Sequence, residues 1–463
     1  MEASIRSKRS RPPHAPWVLG LALLAGAAPA SAVLNDPGAG CPADPEPLSN
    51  RPTLDPQALV EAVLCRNPGL EAARRGWLAA LERLPQVTAL DDPTLSYSLA
   101  PLSIGAADAG YGQVVRLAQR LPAGGTLRLR GEVARAEAEV ARHGHAAARL
   151  GLATMAALLF ADYYYVHRAS EINDEHVALL EDFKRIATAR YAAGTAAQQD
   201  PLQAEVELAH LLHQGVVLAS ARSVLAAQIN ALLHRRPEAP LPPPPAALPL
   251  PGPGGADPAA LQEEAVRERP ELRGADSLID ARAAAVGLRE LRFRPDFELM
   301  SSYNSMWGTG EHRWMVGVGV RLPLRRGRIR AAVAEAEARL GQARSQRERL
   351  EDDVRSQVHQ AHARLEEARH VVELHRSRLL PAARDQVQAA LAGFRTGRNS
   401  FLAVIEAERN QRTTRLGLEA ALADHGRASA DLDRSLGRIP GSPGPAAPAE
   451  APPPAAAGTE ETQ

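Results

Sequence analysis

Aromatic side chains are scarce in this 463-residue chain, because Phe, Trp and Tyr together make up only 4% of it. A conventional large globular core contains more bulky residues, whereas alanine-rich helices suit close, thin packing. An excess of charge of either sign is also missing, since 54 basic residues are balanced by 54 acidic residues. A net charge of zero gives no indication of nucleic-acid binding.

Long hydrophobic runs are missing after the N-terminus. Basic residues between positions 6 and 11 precede an apolar run from about Trp17 to Ala28, and Ala30-Ser31-Ala32 follows it. This arrangement is typical of a secretory signal peptide, so residues 1–32 are predicted to be removed on export. No later stretch approaches about 18 uninterrupted apolar residues, and no membrane-spanning helix is therefore predicted.

Cysteine is limited to Cys41 and Cys65, both in the exported N-terminal part. In an oxidising compartment two such residues are expected to form a disulfide that ties the N-terminal arm to the first helix. The alternative is a lipid-anchored N-terminus at Cys41, because Gly38-Ala39-Gly40 resembles the end of a lipobox. Asn35, Asp36 and Pro37 lie between the apolar run and that segment, which favours the disulfide.

Signatures of catalysis are lacking too. The sequence has no nucleophile elbow, phosphate-binding loop or paired-carboxylate pattern, so neither an enzyme nor a bound cofactor is predicted. Several histidines lie on alanine- and charge-rich helical segments without the Cys or carboxylate partners of a closed metal site. We expect them on solvated helix surfaces: His143, His145, His359, His362, His370 and His375. Met300, Met306 and Met315 are expected to be packing residues rather than ligands.

The most regular pattern runs from Trp314 to Glu408. It begins as a strand with alternating apolar and small or polar residues as far as Leu322. After Pro323 the apolar spacing becomes three or four residues, as in a coiled-coil seam. The seam residues are Val333, Ala336, Leu340, Ala343, Leu350, Val354, Val358, Ala361, Leu365, Ala368 and Val372. One helix from Arg328 to Phe394, about 100 Å long, is predicted, with breaks at Gly393 and Gly397.

The same stretch occurs about two hundred residues earlier. Arg120-Leu121-Pro122 matches Arg321-Leu322-Pro323, and Tyr191 and Gly194 match Phe394 and Gly397. Upstream, the Asp-Pro pair at residues 55–56 matches the pair at residues 257–258. Because the offset stays nearly constant across strand, helix and turn, the pattern indicates an internal duplication.

The duplication defines the domain organisation. The first repeat spans residues 33–236, with strands at about 94–121 and a long helical hairpin at about 125–236. A Pro-rich connector follows at 237–256. The second repeat spans 257–438, with strands at about 296–322 and a hairpin at about 328–436. Residues 439–463 are predicted to form a disordered tail because they offer too little apolar surface to bury.

Each repeat supplies two strands of about nine residues, the length of a transmembrane β-strand. Four strands cannot close a barrel, and open edges are not tolerated in lipid, so several chains must share one barrel. The alternative is a soluble four-stranded sheet packed on helices. The export signal, the long helices after each strand pair and the charged residues on one strand face favour the membrane interpretation.

With these motifs in their order and spacing, the sequence resembles the TolC-type outer-membrane efflux family over about Leu54 to Leu436. The motifs are Leu59-x-Glu61-Ala62 through Asn67-Pro68, Leu121-Pro122-x-Gly124-Gly125, Arg190-Tyr191-x-x-Gly194 and Asp200-x-Leu202-x-Ala204, with their second-repeat copies. The resemblance implies a mixed α and β membrane protein. Four transmembrane β-strands per chain would join a trimeric 12-stranded barrel, continuous with long antiparallel α-helical hairpins that form a periplasmic tunnel.

The resemblance also implies a function. The protein would be the outer-membrane channel of a tripartite efflux or type I secretion system, located in the bacterial outer membrane and extending into the periplasm. Its partners would be two further copies of itself, a periplasmic adaptor, an inner-membrane pump and outer-membrane lipid, with no nucleic acid. The alternative is a periplasmic coiled-coil adaptor or scaffold protein, which two hairpins and four membrane-type strands do not favour.

In the resembled family the hairpin tips form the inner entrance of the tunnel. By that resemblance Asp200 and Glu406 occupy acidic ring positions, which would favour cations. Asn399 stands where a basic residue can occur, so closure is expected to depend on packing around Phe394 and Phe401. The turns contributing Tyr191, Gly194, Thr195, Gly397 and Arg398 resemble the tips that meet the adaptor. For each of these residues the alternative is an ordinary helix end or hairpin turn.

Overall fold

The computed structural model of the protein describes residues 51–104, 111–249, 252, 255, 257–307 and 310–441. The predicted signal peptide, Cys41 and residues 442–463 of the predicted tail lie outside these ranges. The first half comprises α1 (Pro56–Arg66), α2 (Pro68–Leu81), α3 (Arg83–Thr88), β1 (Thr94–Leu99), β2 (Gln113–Leu121), α4 (Thr126–Ala192) and α5 (Gln199–Leu232). The second comprises α6 (Pro258–Glu268), α7 (Pro270–Glu290), β3 (Asp296–Asn304), β4 (Trp314–Arg321), α8 (Arg326–Leu374), α9 (Leu380–Arg395) and α10 (Phe401–Leu436).

An Asp-Pro pair starts the first helix of each half in the same way. Asp55 accepts a hydrogen bond from the backbone N–H of Ala58 at 3.0 Å, and Asp257 accepts one from Ala259 at 3.2 Å. The following proline sits in the first turn, where its missing N–H leaves no intrahelical bond unmade. The local chemistry of the Asp-Pro pair therefore sets where α1 and α6 begin.

The four strands form one antiparallel sheet in the order β1-β2-β3-β4. The register places Leu117 opposite Leu95 and Ser301, and Val320 opposite Phe297. One face therefore collects the apolar positions: Leu95, Tyr97, Leu99, Val115, Leu117, Leu121, Phe297, Leu299, Tyr303, Trp314, Val316, Val318 and Val320. The opposite face carries small and charged residues. β1 is six residues long rather than the expected nine.

Helix α4 is the longest element, with 67 residues and a length of about 100 Å. It packs against α5, α7 and α10, and α8 packs against α7 and α10. The buried positions of these helices are mostly alanine with scattered Leu, Val and Ile. Small side chains let the helix axes approach closely, which agrees with the low aromatic content.

The predicted single helix from Arg328 to Phe394 is interrupted. A π-helical turn at His375–Leu379 separates α8 from α9, and Pro381 follows within the first turn of α9. Proline has no N–H and its ring crowds the preceding turn, so the chain widens locally. The predicted break at Gly393 is wrong as well, because Gly393 lies inside α9. The predicted seam is otherwise confirmed, since none of its eleven residues is exposed.

The first part of the connector lies on the helices. The Leu54 N–H donates to the Pro243 carbonyl at 2.8 Å, and the Tyr163 hydroxyl donates to the Pro242 carbonyl at 3.1 Å. Leu241 and Leu248 pack against the core that α1, α4 and the end of α5 form. The connector is therefore anchored to the helices within residues 237–249.

Candidate functional site

Both helical hairpins reverse at a glycine. Gly194 has φ 72° and Gly397 has φ 71°. This left-handed conformation is unfavourable for residues with a Cβ atom and is readily adopted by glycine. In each turn an N–H reaches back five residues, from Thr195 to the Arg190 carbonyl at 2.9 Å and from Arg398 to the Gly393 carbonyl at 2.8 Å. The two tips thus share the same backbone conformation and hydrogen-bond pattern, as the matched sequence positions indicated.

Asn399 makes the second tip different from the first. A Cβ atom on Gly393 would collide with the Asn399 Nδ2 atom, so the side chain of Asn399 rests directly on the helix backbone. Nδ2 also reaches the Ala390 carbonyl at 3.5 Å. At the matching offset the first tip has Ala196, which cannot make this contact. The Asn399 side chain therefore packs over Gly393 in the last turn of α9.

Phe394 and Phe401 pack between the two hairpins of one chain. Their ring centroids are 5.8 Å apart, and Phe401 lies 6.3 Å from Phe183 of α4. The Arg190 guanidinium of the first tip stands 4.5 Å from the centroid of the Phe394 ring. Phe401 is 3% exposed and belongs to a core with Leu180 and other apolar residues. These aromatic residues hold the two tips together within the chain.

Asp200 and Glu406 lie on different hairpins near this aromatic core. Asp200 is half-buried in the first turn of α5, where a carboxylate complements the helix N-terminus. Glu406 is exposed on α10 between the buried residues Ile405 and Ala407. Its side chain therefore points away from the core of its own chain. The ring assignment of both acids remains a prediction.

A layer of buried polar side chains lies next to the aromatic core, and the sequence analysis did not single it out. Asn173 is 3% exposed and His176 is 6% exposed on α4, and Glu408 is 7% exposed on α10. Asn173 donates to the Leu211 carbonyl at 3.2 Å, whereas the Oδ1 of Asn173 and the Nε2 of His176 have no hydrogen-bond partner within the described residues. Glu207 of α5, itself buried, is ion-paired with Arg409 of α10.

Burial, together with nearby charges, sets the protonation of the members of this layer. Burial, followed by the Arg415 and Arg412 guanidinium groups of α10, lowers the pKa of His176 to about 4, and neighbouring Glu175 opposes the shift. Burial raises the pKa of Glu408, against the effect of Arg415. His176 is therefore neutral near pH 7, where a charged imidazole would face two arginines.

Further hydrogen bonds and ion pairs join α4 to α10. Tyr164 donates to the Glu419 Oε2 atom at 2.7 Å, and Glu175 pairs with Arg415 at 2.7 Å. Further along, Asp162 of α4 pairs with Arg427 of α10. The two hairpins of one chain are joined by side-chain bonds over much of their length, in addition to the packing at the tips.

Four of the six histidines expected on solvated surfaces are half-buried: His143, His145, His362 and His375. His375 lies in the π-helical turn, and its Cε1 atom would be 2.5 Å from a Cβ on Gly417 of α10. His145 stacks on Trp77 with ring centroids 6.2 Å apart. Both rings fill space between helices, a role that local sequence does not reveal. Among the residues that the structure describes, no group of three potential metal ligands is found.

The apolar face of the sheet is exposed on the single chain. Val316 is 78% exposed, Leu95 70%, Trp314 68% and Val318 65%. The opposite face carries Arg116, Arg120, Glu298 and Arg321, and Arg120 pairs with Asp296 at 2.8 Å. In the described part of the sheet β1 pairs only with β2 and β4 only with β3, so the outer edges of β1 and β4 offer unpaired backbone groups.

Helix α5 also has an uncovered apolar face. Its exposed apolar residues fall within an arc of about 140° at 100° per residue. They are Leu202, Val206, Leu212, Val216, Val217 and Val224. By length and composition, α4 and α5 each contain an 18-residue window apolar enough to cross a membrane, although none was predicted. Only 17% of the α5 window is buried, so this helix has surface available for packing.

Cys65 is half-buried on α1 and is disulfide-bonded. Its predicted partner Cys41 lies outside the described residues, so the pair itself remains a prediction.

Residues 261–438 match the family model of the outer membrane efflux protein. The cobalt-zinc-cadmium resistance protein CzcC of Cupriavidus metallidurans is 27% identical over 186 residues, which are 39% of this chain and 43% of that protein. The outer membrane efflux protein BepC of Brucella suis is 24% identical over 292 residues, 60% of this chain and 62% of BepC. The chain thus matches less than two thirds of the length of either relative.

The fold is similar to solved outer-membrane channels. CusC, described in a study of its folding and transmembrane channel formation, superposes with a TM-score of 0.71 at 18% identity. The match covers 83% of this chain and 92% of CusC. At this identity the likeness establishes the fold, in which long helical hairpins continue from a small antiparallel sheet.

Proposed function

We propose that this chain, a member of the outer membrane efflux protein family, forms the outer-membrane channel of a tripartite efflux or type I secretion system. The observation that carries the proposal is the exposed apolar face of the sheet, backed by a charged face. In water such a face is unfavourable, whereas in a bilayer it contacts lipid and the charged face lines an aqueous path. The protein would conduct passively from the periplasm to the exterior.

Three copies complete the barrel in this proposal. Four strands with open edges satisfy their backbone groups in lipid only if neighbouring chains pair with them, and three chains supply twelve strands. The exposed apolar face of α5 supports the same arrangement, because a neighbouring chain would cover Leu202, Val206, Val216 and their companions. The helical hairpins then form one tunnel that extends into the periplasm.

The hairpin tips are the proposed inner entrance. Three copies each of Asp200 and Glu406 would place six carboxylates around it, favouring cations and allowing divalent ions to block. Phe394 and Phe401 tie the hairpins of each chain together, and Asn399 braces the second tip. Opening would then require the two hairpins of each chain to move together.

The turns at the tips are the proposed contact with a periplasmic adaptor, which links the channel to an inner-membrane pump. Tyr191, Gly194, Thr195, Gly397 and Arg398 are all exposed there. The rival interpretation, a periplasmic adaptor or scaffold without a barrel, does not account for a sheet whose whole apolar face is uncovered. The family and the fold neighbours are channels rather than enzymes.

The N-terminal features are proposed in line with export. Residues 1–32 would direct secretion, and a Cys41–Cys65 disulfide would tie the N-terminal arm to α1 with a stabilisation of roughly 2–4 kcal/mol. The proposed repeats are residues 33–236 and 257–438, with the connector at 237–256. Mass spectrometry of the unreduced mature protein distinguishes this disulfide from a diacylglyceryl group on Cys41.

Planar-bilayer recording tests the channel and its entrance together. The wild-type protein should form cation-preferring channels that divalent ions block. The variant D200A/E406A should lose the cation preference and the block, with a smaller change in resting conductance, because packing rather than charge holds the tips. The matched control E348A/E367A removes two exposed acids of α8 away from the tips and should keep both properties.

Two results would contradict the proposal at different levels. If the wild-type protein fractionates as a soluble periplasmic protein and forms no channels, the channel function is wrong. If channels form and D200A/E406A retains full cation preference, the channel remains and the assignment of Asp200 and Glu406 to the entrance is wrong.

A further inference from the structure

Arginines gather where the helices meet the sheet. Arg130 lies near the start of α4, Arg292 in the short 3₁₀ turn Leu291–Phe293 before β3, and Arg328 near the start of α8. Arg289 at the end of α7 completes the group, which we call the junction cluster. The four residues come from three separate parts of the chain. The register places Leu121 at the end of β2 opposite Phe297, and Arg321 at the end of β4 opposite Asp296. The helix starts that follow β2 and β4 and the turn that precedes β3 therefore lie at the same end of the sheet.

The members of the junction cluster act on one another electrostatically. Burial, followed by the neighbouring Arg289, Arg328 and Arg130, lowers the pKa of Arg292, and no acid contributes among the groups that shift it. Within the described residues, none of the four arginines forms an ion pair, whereas other arginines of the same region do, as Arg120 does with Asp296. The cluster therefore holds positive charge that the chain itself does not neutralise.

Exposed apolar side chains flank the junction cluster. Phe293 follows Arg292 directly and is 40% exposed, and Leu322 and Leu324, between β4 and Arg328, are 62% and 83% exposed. Leu322 continues the alternation that places the even-numbered residues of β4 on the apolar face. The cluster thus lies at the rim where the lipid-facing surface of the sheet ends and the helices begin.

We propose that the junction cluster binds the phosphate groups of anionic phospholipids in the membrane leaflet next to the helices. This inference rests on the proposed function, because it requires the sheet to lie in the outer membrane. A phosphate accepts two parallel hydrogen bonds from a guanidinium group, which makes arginine suited to this ligand. The bound phosphate would offset the repulsion among the arginines, while Leu324 and Phe293 contact the acyl chains.

The test compares the lipid binding of the wild type and three variants in mixed detergent micelles. The variant R130Q/R292Q/R328Q removes the charge of three cluster residues, and R292Q alone removes the central one in case the triple variant does not fold. The matched control R344Q/R349Q/R364Q removes three exposed arginines of α8 further from the sheet. Native mass spectrometry measures how much phosphatidylglycerol and phosphatidylcholine each protein retains.

We expect the wild type and the matched control to prefer phosphatidylglycerol. The triple variant should bind it at least about tenfold more weakly, and R292Q should show an intermediate loss, since each arginine near an anionic surface contributes separately. Equal preference in the wild type and either cluster variant would overturn the inference. A changed ion selectivity with unchanged lipid binding would also overturn it, because the arginines would then line the aqueous path.

Bilayer recording on the wild-type protein separates this inference from the proposed function. Channels without a preference for phosphatidylglycerol would leave the channel function standing and remove the lipid site. Specific phosphatidylglycerol binding by a protein that forms no channels would contradict the channel function instead.

Discussion

At the scale of single residues, the least expected feature is a neutral histidine buried between helices and facing two arginines. His176 has a pKa of about 4, below its ordinary value of 6.5. Between these two pH values the unfolded chain binds a proton that the native chain does not. The stability contribution of neutral His176 is therefore complete above pH 6.5 and is lost as the pH falls toward 4.

This linkage gives a prediction for the variant H176Q. When the pH is lowered from 7.5 to 4.5, the free energy of unfolding of the wild type should fall by roughly 2–3 kcal/mol more than that of H176Q, which has no titrating ring. Asp433, whose pKa burial raises to about 6, shifts stability in the opposite direction and is present in both proteins. Denaturant unfolding in detergent at both pH values measures the difference. An identical pH dependence of the two proteins would show that the pKa of His176 does not differ between the native and the unfolded state.

The turn glycines give a second prediction at this scale. G194A and G397A each place a side chain at a left-handed φ, with an expected loss of about 1–2 kcal/mol. The control G341A lies in helical α8 with no atom within 4 Å of the new Cβ, and it should gain about 0.5–1 kcal/mol. Thermal unfolding followed by circular dichroism compares the three. Equal effects at all three positions would mean that the turns are not as described.

Residue-level burial was the hardest property to predict from the sequence. Glu205 and Glu408 are 203 positions apart, the same offset as Gly194 and Gly397 in the duplication, yet Glu408 is buried while Glu205 is exposed and lies 3.4 Å from Lys184. Local spacing cannot distinguish the two, because burial depends on which neighbouring helix covers each position. His375 was missed for the same reason, since Gly417 lies 42 positions further along the chain.

At the scale of elements, the π-helical turn at His375–Leu379 is the main departure from a regular helix. The turn brings the His375 ring against Gly417 of α10, where a Cβ would be 2.5 Å from the Cε1 atom. Gly426, on the same helix, has only Ala161 Cβ near its own Cβ position, at an ordinary 3.8 Å. The two glycines therefore form a matched pair for testing this contact.

G417A should lose about 1–3 kcal/mol of stability, because the His375 ring has to move. G426A should be neutral or slightly stabilising, as alanine favours a helix by up to about 1 kcal/mol over glycine. The change G417A should cost less stability in the H375A background than in the wild type, because the ring that it displaces is gone. A double-mutant cycle measures this difference. Equal losses for G417A and G426A would contradict the packing of His375 into α10.

Most element types were predictable because their signals are local and repeated. The alternation at Trp314–Leu322 gave β4 within one residue, and the two Asp-Pro pairs marked the starts of α1 and α6. The interruption of the long helix was not predicted, although Pro381 is visible in the sequence. A proline in a long apolar seam is compatible with a kink, a stop or a π-helical turn, and tertiary packing decides among these.

At the scale of the whole molecule, the described residues of one chain leave two apolar surfaces uncovered and two strand edges open. The sequence indicated that four strands are too few for a closed barrel. The exposed face of α5 appeared only in the structure, because its apolar spacing does not show whether the same chain covers it. In the proposed channel, further copies of the chain would cover these surfaces and pair with these edges.

The mass of the intact assembly tests this central claim most directly. Native mass spectrometry of the protein extracted from outer membranes into detergent should give three mature chains per particle, with helical content retained by circular dichroism. A folded particle of one chain, stable in detergent with the same helical content, would contradict the shared twelve-stranded barrel and the channel built on it.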